Sequence, residues 1–451
     1  MKQSRQQAVT AFIDQLACDR VMMHGFLLKH RGETIAEGYY KPFRCGEPHR
    51  MFSVSKTATA LAIGLLLRDQ RIHLDDPIVR YFPDKLPGTV PAEIAAMTVR
   101  DMLCMTSCFA RTAFNSETDQ DWVKGFFHAP PAHDPGTIFS YDSSASHVLC
   151  ALVERMCGEE ILTFLQQRLF SPLHMRDDKR WLKDPAGVSQ GATGLVLSLR
   201  DMSRMTEFLL SDGMGLLAPS FLREATALQT PTIQRHMPEE RYGYGYQIWQ
   251  IRRGFAMFGM GGQLGIALPE REITLCTIAD TQLDAVGVQQ IYDAFFRCLA
   301  DADLAASDPE AQRELDAKLA SLTCLSVDAG IGAQPSRFGT TALAPNAMGI
   351  RSVMLDAAKL CWETEQGTVA LPYGTGETIQ AEFRGQPCIT SGGWPSINTF
   401  YLRCYLIGDT PCGFDVTISW HMPHVTLRLT RAPDALTDGM EGEACGTMQG
   451  A

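Results

Sequence analysis

Residues 57–67, TATALAIGLLL, are apolar or small at nearly every position, so a helix there has no polar face to turn to water. Such a helix has to be surrounded by the rest of the protein, because the run is too short to cross a bilayer. A chain of 451 residues can supply that surround. The tetrapeptide Ser53-Val54-Ser55-Lys56 stands at the mouth of this helix and is the only Ser-x-x-Lys in the chain. Residues three apart share a helical face, so the Lys56 amine can reach the Ser53 hydroxyl. Apolar neighbours disfavour the charged amine, and a neutral lysine is a usable base. The helix N-terminus adds free N–H groups and partial positive charge where an oxyanion would form. The simpler reading of the same four residues is a serine N-cap followed by an ordinary lysine.

Along the chain, residues 4–22 carry apolar positions at helical spacing (Ala8, Phe12, Leu16), and Gly25 to Tyr40 reads as two strands around Arg31-Gly32-Glu33. From about Asp75 to Gln190 the texture is helical, with segments at 98–105 and 145–157 broken at Pro130-Pro131 and Pro135-Gly136. Strand patterns return at Tyr242–Ile251 and at Ala256–Ala279, which turns at 267–270, and a helix follows at 285–299. Strands at both ends with helices between predict one sheet assembled from distant segments. The expected division is residues 1–305 as one mixed α/β domain with a helical subdomain at about 75–190, then 306–345 as helix and linker. Residues 346–451 follow as a small antiparallel β domain.

The net charge of −11 and the lack of a long Lys/Arg run argue against a nucleic-acid partner. No secretory signal is visible at the N-terminus, which predicts a cytoplasmic protein with no membrane association. The 14 cysteines lack metal-ligand spacing and are expected to be reduced and mostly buried. His421 and His424 flank Met422-Pro423 without a third ligand and read as sheet histidines. Gly187-Val188-Ser189-Gln190-Gly191 fits a nucleophile elbow, but its flanks offer no strand before Ser189, and a loop is the better reading.

Residues 50–87, RMFSVSKTATALAIGLLLRDQRIHLDDPIVRYFPDKLP, resemble the serine hydrolase family of class C β-lactamases, DD-peptidases and related esterases. The likeness continues in order through TVRDMLCMTS at 98–107, PGTIFSYDSSASHVL at 135–149, GLVLSLRDMSRM at 194–205, YGYGYQIW at 242–249 and FGMGGQLGIALPE at 258–270. It spans roughly residues 20–300 and implies an antiparallel sheet flanked by helices with a helical subdomain. It further implies that Ser53 attacks a carbonyl, that Lys56 and Tyr141 share proton transfer, and that Ser143 takes the place of the second-motif Asn or Ser. Which of Lys56 and Tyr141 accepts the first proton stays open, and Asp142 reads as a solvated turn residue.

The third family motif, Lys-Thr-Gly or His-x-Gly, matches Met257-Phe258-Gly259, with Met260-Gly261-Gly262 as the alternative register, and neither offers a cation. Gly259 keeps the small residue, and the Met260 N–H would pair with that of Ser53 as an oxyanion hole. Arg252 and Arg253 are the nearby cations, though solvated surface charge is the simpler role for both. The resemblance implies no metal or organic cofactor and a small-molecule or peptide substrate, an ester or amide, with β-lactams less favoured for want of an anion anchor. A binding or regulatory module of the same fold, catalytically weakened by the missing cation, is the competing expectation. Oligomeric state is not readable.

Overall fold

The computed structural model describes residues 4–432 and 437–448. A six-stranded antiparallel sheet runs in the order Glu33–Tyr39, Met23–His30, Ile273–Ala279, Gln263–Leu268, Gly254–Gly259, Trp249–Ile251. The first two strands thus meet a four-strand meander from more than 200 residues later, with Leu28 beside Leu275 in the joint. Alternation sorts the side chains. Phe26, Leu28, Leu275 and Ala279 face helices Arg5–Cys18 and Gly287–Cys298, while Leu27, Cys276 and Ile278 face the nucleophile-side core.

On that second face lies helix Val54–Arg68, buried at every position from Val54 to Leu66. Gly64 is what lets the Phe221 ring close on it, since a Cβ there would sit 2.5 Å from that ring. Helix Ser143–Cys157 packs alongside, followed on the sheet by Leu199–Leu210. A small sheet of Pro48–Arg50, Leu195–Ser198 and Arg180–Trp181 leads the chain into the buried helix. Its strand Leu195–Ser198 follows from an apolar, β-branched run that the resemblance marked without assigning it to a strand.

The C-terminal region builds a second sheet of 11 strands. It begins at Gly339–Leu343, and strand Gly442–Met448 returns to pair with both Gly339–Leu343 and His424–Arg431. Burial alternates along Cys412–His421, and the inward side chains, among them Trp362, Trp394, Phe400 and Phe414, make a core of their own. One pair departs from the antiparallel pattern, Gly374–Thr375 running parallel to Ser391–Gly392. The two sheets touch near the nucleophile. Gln282 Nε2 donates to the Pro411 carbonyl at 2.7 Å, and the Arg50 amide donates to the Asp409 carbonyl. The 14 cysteines are all free, and no helix among the described residues is long and apolar enough to cross a membrane.

Candidate active site

Ser53 caps helix Val54–Arg68, and the chain before it is held by three bonds. The Met51 amide donates to the Leu195 carbonyl at 2.8 Å, Ser55 Oγ donates to the Phe52 carbonyl at 2.6 Å, and the Leu195 amide donates back to Ser55 Oγ at 2.9 Å. These clamp Phe52 at φ 46°, a left-handed conformation that costs a non-glycine residue free energy and directs the next residue out of the turn. The Ser53 side chain makes no capping bond, which leaves its hydroxyl available.

Lys56 Nζ donates to Ser53 Oγ at 2.9 Å and to the Ala192 carbonyl at 3.1 Å. It has no carboxylate in contact, and burial lowers its pKa to about 7 against a smaller opposing pull from Asp142. Near neutrality a large fraction of Lys56 is therefore the free amine. Tyr141 lies across from it, with Lys56 Nζ 4.9 Å from the ring centroid. Burial raises the Tyr141 pKa, and a hydrogen bond from the Ser53 side chain only partly offsets this, so the group at rest is a phenol. Trp249 stacks on Tyr141 at 5.5 Å and Tyr244 meets it edge-on at 6.3 Å, fixing the ring plane. The hydroxyl, amine and phenol expected from sequence thus lie together, the amine lowered by burial and the phenol raised by it.

Gly259 ends its strand against the nucleophile turn, and a Cβ there would stand 2.1 Å from the Met51 carbonyl oxygen. No side chain larger than hydrogen fits. Among the described residues neither the Met260 nor the Ser53 amide has a backbone or side-chain acceptor, so both N–H groups are free. Met260 itself is 43% exposed. Ser143 is placed at the first turn of helix Ser143–Cys157, its amide donating to Thr112 Oγ1 at 3.3 Å, and no hydrogen bond joins it to Ser53 or Lys56.

Asp142 corrects the expectation of a solvated turn. It is fully buried, caps that helix, and accepts from Ser107 Oγ at 2.9 Å and the Ser144 amide at 2.8 Å. Burial pushes its carboxyl up and these bonds pull it down. A short Asp-Ser-Ser string has the local chemistry of a helix cap, and the Asx cap was the signal available for it. Gln247 was also missed. At φ 59° it accepts from Ser146 Oγ at 2.6 Å, donates to the Met102 and Leu103 carbonyls, and offers its own carbonyl to Thr57, bracing three site segments. Arg252 pairs with Glu239 and Asp293, and Arg253 with Asp301. Ser189 is fully buried with no partner for its hydroxyl, while His147 and Asp184 bond each other, so no elbow triad forms. No cluster of three metal-ligating side chains occurs among the described residues.

The pattern that defines the beta-lactamase family matches residues 25–295, more than half of the chain. A 6-aminohexanoate-dimer hydrolase of Paenarthrobacter ureafaciens is 25% identical over 206 residues, 42% of this chain and 52% of that protein. Esterase EstB of Burkholderia gladioli is 27% identical over 176 residues, 35% of this chain and 45% of that one. The chain thus spans about half the length of these curated relatives. An octameric penicillin-binding protein homologue from Pyrococcus abyssi shares the fold over 93% of this chain and 97% of its own, with a TM-score of 0.54 at 14% identity. The chain belongs to the beta-lactamase family.

Proposed function

We propose that this chain is a serine hydrolase that cleaves esters or amides through an acyl-enzyme, with Ser53 as nucleophile, Lys56 as base and Tyr141 as acid. The observation that carries the reading is a buried amine, 2.9 Å from Ser53 Oγ, that has no carboxylate partner and a pKa lowered to about 7. In acylation Ser53 Oγ bonds to the substrate carbonyl carbon as its proton passes to Lys56 Nζ. The carbonyl π pair moves onto oxygen, where the Ser53 and Met260 N–H groups hold it. Collapse restores the carbonyl and breaks the bond to the leaving oxygen or nitrogen, which takes the Tyr141 proton, and Lys56 returns a proton to Tyr141. Water then attacks the ester, gives up its proton along the same route, and Ser53 departs reprotonated. Gly259 lets substrate lie along its strand, and Ser143 lines the second-motif position. The site uses no metal or organic cofactor, and the free thiols fit a cytoplasmic enzyme. The C-terminal sheet, from Gly339 onward, serves as a wall near the nucleophile turn, resting on the Gln282–Pro411 contact.

The test is intact mass after incubation with a fluorophosphonate. A single adduct on the native protein, absent from Ser53→Ala, is the expected result. No adduct on either protein would favour a binding module of the same fold, and an adduct that persists in Ser53→Ala would move the nucleophile elsewhere.

A further inference from the structure

The third-motif strand offers no cation at Met257 or Phe258, yet a guanidinium does lie beside Tyr141. Arg235 lies on the loop before the sheet's edge strand, with its Cζ 5.8 Å from the Tyr141 ring and 5.6 Å from the Trp249 ring. Its Nε donates to Glu240 Oε2 at 2.8 Å, and Glu240 is itself buried. That bond and the two rings fix the guanidinium plane. Among the described residues no acceptor engages either terminal nitrogen, and the side chain is about one-third exposed (32%). A planar fork, held from behind by a buried carboxylate and flanked by aromatic rings, with both Nη groups open, is the arrangement that receives a carboxylate bidentately. The other candidate cations are spent: Arg252 and Arg253 are engaged by carboxylates, and Lys56 faces Ser53.

Direction follows from Tyr141. Its hydroxyl end meets Ser53 while Arg235 sits over its ring, so a group anchored on Arg235 lies on the phenol's side of the nucleophile. That is the side from which a departing oxygen or nitrogen takes its proton. Resting on the acyl-enzyme reading above, we infer that Arg235 is the anion anchor of this enzyme and that its substrates carry a carboxylate on the leaving-group arm. The expectation that the site lacks an anion anchor, drawn from the third motif alone, is thereby revised.

The experiment compares 3-acetoxybenzoate with its neutral methyl ester, which share an acyl group and differ in the leaving-group charge. The quantity read is the ratio of their kcat/KM values, which cancels any loss of folded enzyme. The native protein favours the anionic ester, and Arg235→Gln lowers the ratio about 10- to 100-fold, the effect of losing a charge-assisted fork. Arg235→Lys, which keeps the charge without the fork, falls between. An unchanged ratio in Arg235→Gln, or a native preference for the neutral ester, overturns the anchor. If Ser53 labels with fluorophosphonate, such a result removes the anchor alone; if Ser53 does not label, the acyl-enzyme reading falls first and the anchor with it.

Discussion

Two of the cations drawn out of bulk water, Arg403 and Lys56, behave oppositely. Arg403, on strand Thr399–Leu406 of the C-terminal sheet, donates to both oxygens of Asp415 at 2.6 and 2.7 Å and to Tyr405 Oη at 3.1 Å. Burial opposes its charge, but Asp415 overcomes this and holds the guanidinium above its ordinary pKa. Lys56 is buried more deeply, and its partners are a hydroxyl and a carbonyl. Only a smaller pull from Asp142, which is not in contact, opposes the desolvation, so its proton is weakly held. Burial by itself therefore does not make a reactive group; burial without a counter-charge does. Arg235 is the intermediate case, bound once to Glu240 and left open on its outer edge.

The largest effect separates the two cations by activity. Lys56→Met is expected to lower kcat/KM for an ester by about 10³-fold, within the range of a lost general base, while Arg403→Met leaves turnover within severalfold. Close behind comes Gly259→Val. Its Cβ would meet backbone, which cannot step aside, and displacing the Met51–Ser53 turn by a fraction of an ångström is expected to cost about 100-fold in kcat/KM.

Stability sharpens the contrast in the other direction. Arg403→Met strands the Asp415 carboxylate and is expected to cost about 2 kcal/mol in denaturant unfolding, whereas Lys56→Met removes an unpaired buried amine and is expected to raise stability at neutral pH. The sign follows from linkage. Lys56 is lowered from 10.5 to about 7 on folding, so the unfolded chain binds the extra proton across that window, and stability rises with pH through it. Lys56→Met should flatten that rise. Equal destabilisation by the two substitutions would break the comparison.

The smallest effect concerns a buried pair of imidazoles. His24 and His49 meet at 3.3 Å, and burial lowers both, His49 to about 4. Their contribution to stability is present above pH 6.5 and lost as pH falls towards 4. The denaturant midpoint should drop between pH 6.5 and 5, and His49→Gln should lessen the drop.

Ser53 and Lys56 were legible because one helical turn joins them and an all-apolar helix announces its own burial. Tyr141 was legible only through the ordered string of resembling segments, since nothing local distinguishes it from a packing aromatic. Asp142, Gln247 and Arg235 were not legible. Each is a polar residue in turn-rich sequence, and its burial or stacking is decided by segments far along the chain. The backbone shows the same division. Phe52, Met105 and Gln247 hold positive φ around the site at 46°, 57° and 59°, conformations that their residue types do not advertise and that only the surrounding packing imposes.

The most direct test is an NMR titration of the Lys56 side chain in protein carrying ¹³C-lysine, its signal assigned by absence from Lys56→Met. A midpoint near pH 7 is predicted. A midpoint at the ordinary lysine value, above pH 10, would mean that Lys56 is a cation throughout the working range and cannot take the Ser53 proton.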